Sequence, residues 1–141
     1  MLPEFVQIAH DIAKKAHEGQ IDKAGADYIK HPETVASFVD TPEEKAAAFL
    51  HDTIEDTNIT VAHLREAGIP SRVIEAVKLL THNKKQDYFE YLATVKENPI
   101  AKVVKLADLK HNSDLSRLKR ITDTDRKRLA KYKKAIEYLN A

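Results

Sequence analysis

The 141-residue chain carries 23 basic and 22 acidic side chains, a formal charge of +1, and no cysteine. So even a balance excludes capture of nucleic acid or membrane by bulk charge, and the missing cysteines exclude disulfides and thiolate zinc sites. With 43% hydrophobic residues and only 3 glycines, the composition suits one all-α domain spanning 1–141.

Apolar residues at helical spacing (Phe5, Ile8, Ile12, Ala16) predict a first helix over about 3–18. Residues 19–30, with Gly25 and Asp27, read as a loop. A second helix opens at His31-Pro32, where a first-turn proline loses no hydrogen bond. Thr41-Pro42-Glu43-Glu44 is a helix start of the same kind, and that helix is expected to run through Phe49 and Leu50 towards Glu55. Short helices are expected over 60–67, ended by Gly68, and over 71–81, with Val73, Ile74, Val77 and Leu80 inward. Helices over 86–96, 99–113 and 123–139 complete the chain, the last with Leu129, Tyr132, Ile136 and Leu139 inward and its charges on a solvated face. No segment alternates as a strand does. The first residues lack a basic region followed by an apolar run, and no stretch approaches the ~20 apolar residues of a spanning helix. A soluble, cytoplasmic protein is expected.

Polar clusters interrupt this pattern. His51 and Asp52 end an apolar run, where ionisable groups are costly unless paired or bound to metal. Neighbouring helical residues point about 100° apart, so both can reach one ion. Glu55 and Asp56 each follow four residues later and would extend the same stripe if the helix persists. A carboxylate beside a metal site is where a general acid or base belongs. Asp108 shares a helix face with Lys105 and Asn112, and His31 would complete the set from a third element. Taken singly, each residue has a plainer reading, such as a cap, an interior histidine or a salt-bridge partner. Together, two imidazoles and two carboxylates suit Mn²⁺, Fe²⁺, Co²⁺ or Zn²⁺ better than Ca²⁺.

Several strings carry a resemblance: His17-Glu18-Gly19-Gln20, Lys23-Ala24-Gly25, Tyr28-Ile29-Lys30-His31-Pro32, His51-Asp52-Thr53-Ile54-Glu55-Asp56, and Lys105-Leu106-Ala107-Asp108 ending in His111-Asn112. Through them the chain resembles the HD phosphohydrolases, and among these the hydrolase domain of RelA/SpoT-type alarmone enzymes. The resemblance implies a compact HD-type helical domain, standing alone, that removes the 3′-pyrophosphate from guanosine tetra- or pentaphosphate with Mn²⁺ or another divalent transition metal. It implies His31, His51, Asp52 and Asp108 as metal ligands. Glu55 and Asp56 would orient and deprotonate water, and Lys23, Tyr28, Lys105 and Asn112 would contact substrate. His17 and His111 are expected to support the site rather than ligate. Asp22, Leu109 and Asp114 depart from the long enzymes, most notably Asp22, which stands where they carry a base-stacking Arg. The alternatives are therefore an adenine alarmone, a phosphorylated dinucleotide or a nucleoside monophosphate as substrate, or a nucleotide-binding module without turnover.

Overall fold

A computed structural model describes residues 2–141. Helix α1 (Glu4–Ala16) follows Pro3 and buries Val6, Ala9 and Ala13. Its inward face is thus centred one residue away from the expected one. Phe5, Ile8 and Ile12 flank that face and are only partly buried, because the small residues allow the closest approach to the core. The helix also ends earlier than expected, at His17, where Gly19 takes a φ of +83°.

The following loop is more ordered than its composition suggests. Asp22 Oδ1 accepts hydrogen bonds from the backbone N–H groups of Ala24 (2.8 Å) and Ala26 (3.0 Å). An isolated antiparallel bridge joins Ile21 and Asp27, and Gly25 turns the chain at a φ of +84°. The carboxylate therefore organises a tight turn that leads directly into α2 (Lys30–Ser37).

Helix α3 (Pro42–Leu50) opens on a full capping box between Thr41 and Glu44. Thr41→Ala is expected to cost about 1 kcal/mol, read as a lower urea midpoint with unchanged slope. Ala46, Ala47, Ala48 and Leu50 are all fully buried, as befits a helix surrounded by others. It packs against α1, α2, α6 (Ser71–Leu80) and α8 (Pro99–Asn112). The expected continuation to Glu55 does not occur. Leu50 ends α3, and a separate single turn, α4 (Thr53–Asp56), follows.

Helix α5 (Val61–Glu66) is capped by Thr60 and stopped near Gly68, whose φ is +91°. Asp87 caps α7 (Tyr88–Glu97), and Asn98 caps α8. A short 3₁₀ turn (Leu115–Arg117) precedes α9 (Asp123–Asn140), which lies against α7 and α8 and buries Ala135 and Leu139. Leu129, Tyr132 and Ile136 are only partly buried. In α8 the buried positions include Val104, Ala107, Asp108, Leu109 and His111, while Val103 and Leu106 lie at the margin. The result is a single all-α domain. No helix among the described residues is long and apolar enough to cross a membrane.

Candidate metal centre and its cleft

The end of α3 explains how His51 and Asp52 are aimed. His51 Nδ1 lies 2.6 Å from the carbonyl of Ala48, and the Thr53 hydroxyl donates to that of Leu50 at 2.7 Å. Side chains thus take carbonyls that a continuing helix would use, and the helix stops. With Nδ1–H donated to Ala48, the lone pair of His51 sits on Nε2. That nitrogen is buried and has no hydrogen-bond partner.

Asp108 reaches the same point from α8, and His31 from the first turn of α2. His31 Nε2 lies 2.8 Å from Asp108 Oδ1, and His51 Nε2 lies 3.4 Å from the same oxygen. Donor atoms of His31, His51 and Asp108 all fall within 4.8 Å of one another, and all these residues are buried. Asp52 adds Oδ2, 3.1 Å from His51 Nε2 and 3.9 Å from His31 Nε2. Donors at bond lengths of about 2.1 Å stand about 3.0–3.4 Å apart around one ion. The spacing, the orphaned His51 nitrogen and the mixed nitrogen–oxygen donors fit a divalent transition metal.

Supporting contacts surround this set. His31 Nδ1 meets His111 Nδ1 at 2.7 Å, which fixes the ring plane and turns Nε2 towards Asp108. Burial and the neighbouring Arg117 and His31 push His111 down to about 4, so it stays neutral. The Tyr28 hydroxyl donates to Asp52 Oδ2. Lys105 Nζ donates to Asp108 Oδ2 at 3.1 Å, and Asn112 Nδ2 to Oδ1 at 3.0 Å. Burial opposes the Asp108 charge, but the Lys105 ammonium beside it outweighs that and holds the carboxyl well below its ordinary range. Burial likewise opposes the Asp52 charge, yet His51 beside it brings that carboxyl to about 2. Both acids therefore remain anionic.

The cluster forms one wall of a cleft of about 460 Å³, into which Lys23, Glu55, Asp56, His82, Tyr88 and Lys131 also project. Because α3 is broken, Glu55 and Asp56 do not continue a stripe below His51. Glu55 instead accepts a 2.7 Å hydrogen bond from the backbone N–H of His82, beyond the end of α6. Asp56 is exposed; partial burial and the charges of Asp52 and Glu55 push its carboxyl above the ordinary value. A second lobe of about 360 Å³ shares Lys23, Tyr28, His31, Asn112 and Tyr132 with the first and extends to Asp22 and Arg117, themselves paired at 3.3 Å. His17 packs 4.9 Å from the Tyr28 ring, and its Nδ1 lies 3.0 Å from Gln20 Oε1.

All ten residues singled out from the sequence line this cleft. Sequence reasoning missed His82, Tyr88 and Tyr91, which carried no motif signal. It also assigned the charges of α9 to solvent, whereas Arg128, Lys131 and Tyr132, spaced three and four residues apart, face the two lobes.

A helical fold that buries histidines and aspartates at one point, beneath a cleft edged with further acids, resembles an HD-type hydrolase domain. No family model matches the chain. The chain is 35% identical, over 135 residues and 85% of its length, to guanosine-3′,5′-bis(diphosphate) 3′-pyrophosphohydrolase of Haemophilus influenzae, of which it covers 20%. It is 34% identical, over 119 residues and 74% of its length, to the bifunctional (p)ppGpp synthase/hydrolase SpoT of Escherichia coli, of which it covers 17%. The chain thus spans about a fifth of the curated relatives it matches. Among solved structures, it superposes with a TM-score of 0.77 and 22% identity on a metazoan ortholog of SpoT described as hydrolysing ppGpp, over 99% of this chain and 86% of that one. That likeness shows the fold.

Proposed function

We propose that the chain is a metal-dependent hydrolase that removes the 3′-diphosphate of (p)ppGpp, releasing GDP or GTP and pyrophosphate. The carrying observation is the buried donor cluster His31, His51 and Asp108, with Asp52 beside it, lining one cleft together with Glu55 and Asp56. The similarity to named 3′-pyrophosphohydrolases over most of the chain supports the substrate. Mn²⁺ is the metal we favour, and the cytoplasm the compartment. When bound, such an ion lowers the pKa of water and offsets negative charge on phosphate.

The remaining chemistry belongs to the side chains. Water attacks the phosphorus that carries the 3′ oxygen, that P–O bond breaks, and the ribose oxygen leaves to take up a proton. Asp56, with its raised carboxyl, accepts the proton of the attacking water. Glu55, fixed by the His82 N–H, orients that water. Tyr28 holds the Asp52 carboxylate in place. Lys23 lines both lobes, and in this reading it would bind the phosphates where the two lobes join. The second lobe takes the nucleoside. Pockets for small molecules begin at about 300 Å³, and this one reaches that size.

The deciding experiment incubates the protein and Mn²⁺ with a panel of ppGpp, its adenine counterpart, phosphorylated dinucleotides and nucleoside monophosphates, followed by product analysis. GDP and pyrophosphate from ppGpp, formed faster than products from the others, is the expected result. Preference for another nucleotide would assign the same chemistry to a different substrate, which the acidic Asp22 in the nucleoside lobe would then explain. Binding without turnover on every member would leave a nucleotide-binding module.

A further inference from the structure

Lys105 lies closest to the donor cluster, but its ammonium is already occupied. It sits 3.1 Å from Asp108 Oδ2 and is only 14% exposed. Charge spent on Asp108 is not available to an incoming phosphate. Arg128 is paired with Asp125 at 2.8 Å, and Arg117 with Asp22. Among the described residues, Lys23 and Lys131 line the same cleft with no carboxylate within ion-pairing distance; Lys23 stands where the cleft meets the second lobe, and Lys131 comes from α9.

Its position is nonetheless fixed. Lys131 Nζ lies 4.0 Å from the centroid of the Tyr88 ring. An aromatic face holds an ammonium by its quadrupole without cancelling its charge and leaves N–H donors free. Tyr88 is in turn half-buried and packed among the rings of His82, Tyr91 and Phe89, so the platform is stiff. The same cleft holds the carboxylates of Asp52, Glu55, Asp56 and Asp108. A diphosphate entering among these acids needs an unpaired cation in the cleft, and α9 supplies one.

We propose that Lys131, braced on Tyr88, is the substrate-binding cation for the diphosphate that leaves. This rests on the reading of the cleft as a 3′-pyrophosphohydrolase site. The ammonium would contact the distal phosphate and stay with it as the 3′ bond breaks, so its contribution appears in binding of both substrate and product.

The test uses inorganic pyrophosphate as the probe, titrated calorimetrically into the whole protein loaded with Mn²⁺, for wild type, Lys131→Met, Lys131→Arg and Tyr88→Leu. Lys131→Met keeps the stem and removes the charge; it is expected to weaken pyrophosphate binding at least tenfold and to raise KM for ppGpp by a similar factor. Lys131→Arg should recover most of the affinity, and Tyr88→Leu should lose a severalfold part of it. Mn²⁺ affinity and thermal midpoint should match wild type in both Lys131 variants, because the side chain is exposed. Equal pyrophosphate affinity in wild type and Lys131→Met overturns the proposal. So does an equal loss in Lys131→Arg and Lys131→Met, which would mark a packing role. Binding of pyrophosphate that depends on Lys131, in a protein that does not turn over ppGpp, would uphold the subsite and overturn the substrate assignment instead.

Discussion

An Asp108→Ala protein is expected to hold no divalent metal after dialysis, to lose at least about a hundredfold in hydrolysis, and to be destabilised even without metal. Outer contacts of a metal site already cost 10- to 100-fold when removed, so loss of a donor exceeds that range. The stability effect has a separate origin. Asp108 is 7% exposed, and its partner Lys105 is 14% exposed. Removing the carboxylate strands a buried ammonium among Tyr88 and Tyr91, at a cost of about 3–5 kcal/mol. Lys105→Met combined with Asp108→Leu removes both charges and should recover most of that stability while leaving metal affinity and activity lost. Metal content by elemental analysis and urea unfolding of the metal-free proteins read the two effects apart. If Asp108→Ala keeps its metal, the donor set is wrongly assigned. If it unfolds like wild type, Lys105 finds another partner.

Asp56→Asn should lower kcat by about 10²- to 10⁴-fold while leaving metal content and KM near wild type, the range expected when a general base is removed. The pH profile adds a check with a definite sign. A base acts only when deprotonated, so activity falls as pH drops through its pKa. Burial and the charges of Asp52 and Glu55 raise the Asp56 pKa, which places the acid limb above the value near 3.9 of a free aspartate. Glu55→Gln should cost less than Asp56→Asn, because the amide oxygen can still accept from the His82 N–H. A profile unchanged in Asp56→Asn would move the base elsewhere.

The helix starts were readable because their signals are local. Thr41 caps α3 where a helix start was expected, its partner Glu44 completing a capping box, and Pro99 opens α8 as a first-turn proline should. The break after Leu50 was not readable. It depends on Thr53 and His51 competing for carbonyls, and periodicity sees only the apolar run before them. In α1, large residues suggested the inward face, while the core selected the small ones that fit against α3. The metal donors stood out because histidine and aspartate interrupt an apolar pattern. Lys131 and Arg128 did not, because charges on an amphipathic helix look alike whether they face water or a cleft. Only the position of α7 and α8 beside α9 distinguishes the two.

His31 and Asp108 meet at 2.8 Å although 77 residues separate them along the chain. A cation held between them and His51 would act as a rivet through α2, α3 and α8, present only once all three have docked. Free metal then sets thermal stability as well as rate: at 100 times its dissociation constant it adds about 2.7 kcal/mol to the folded state. The melting temperature should therefore rise with the logarithm of metal concentration, and a cell short of that metal would hold less of the folded protein.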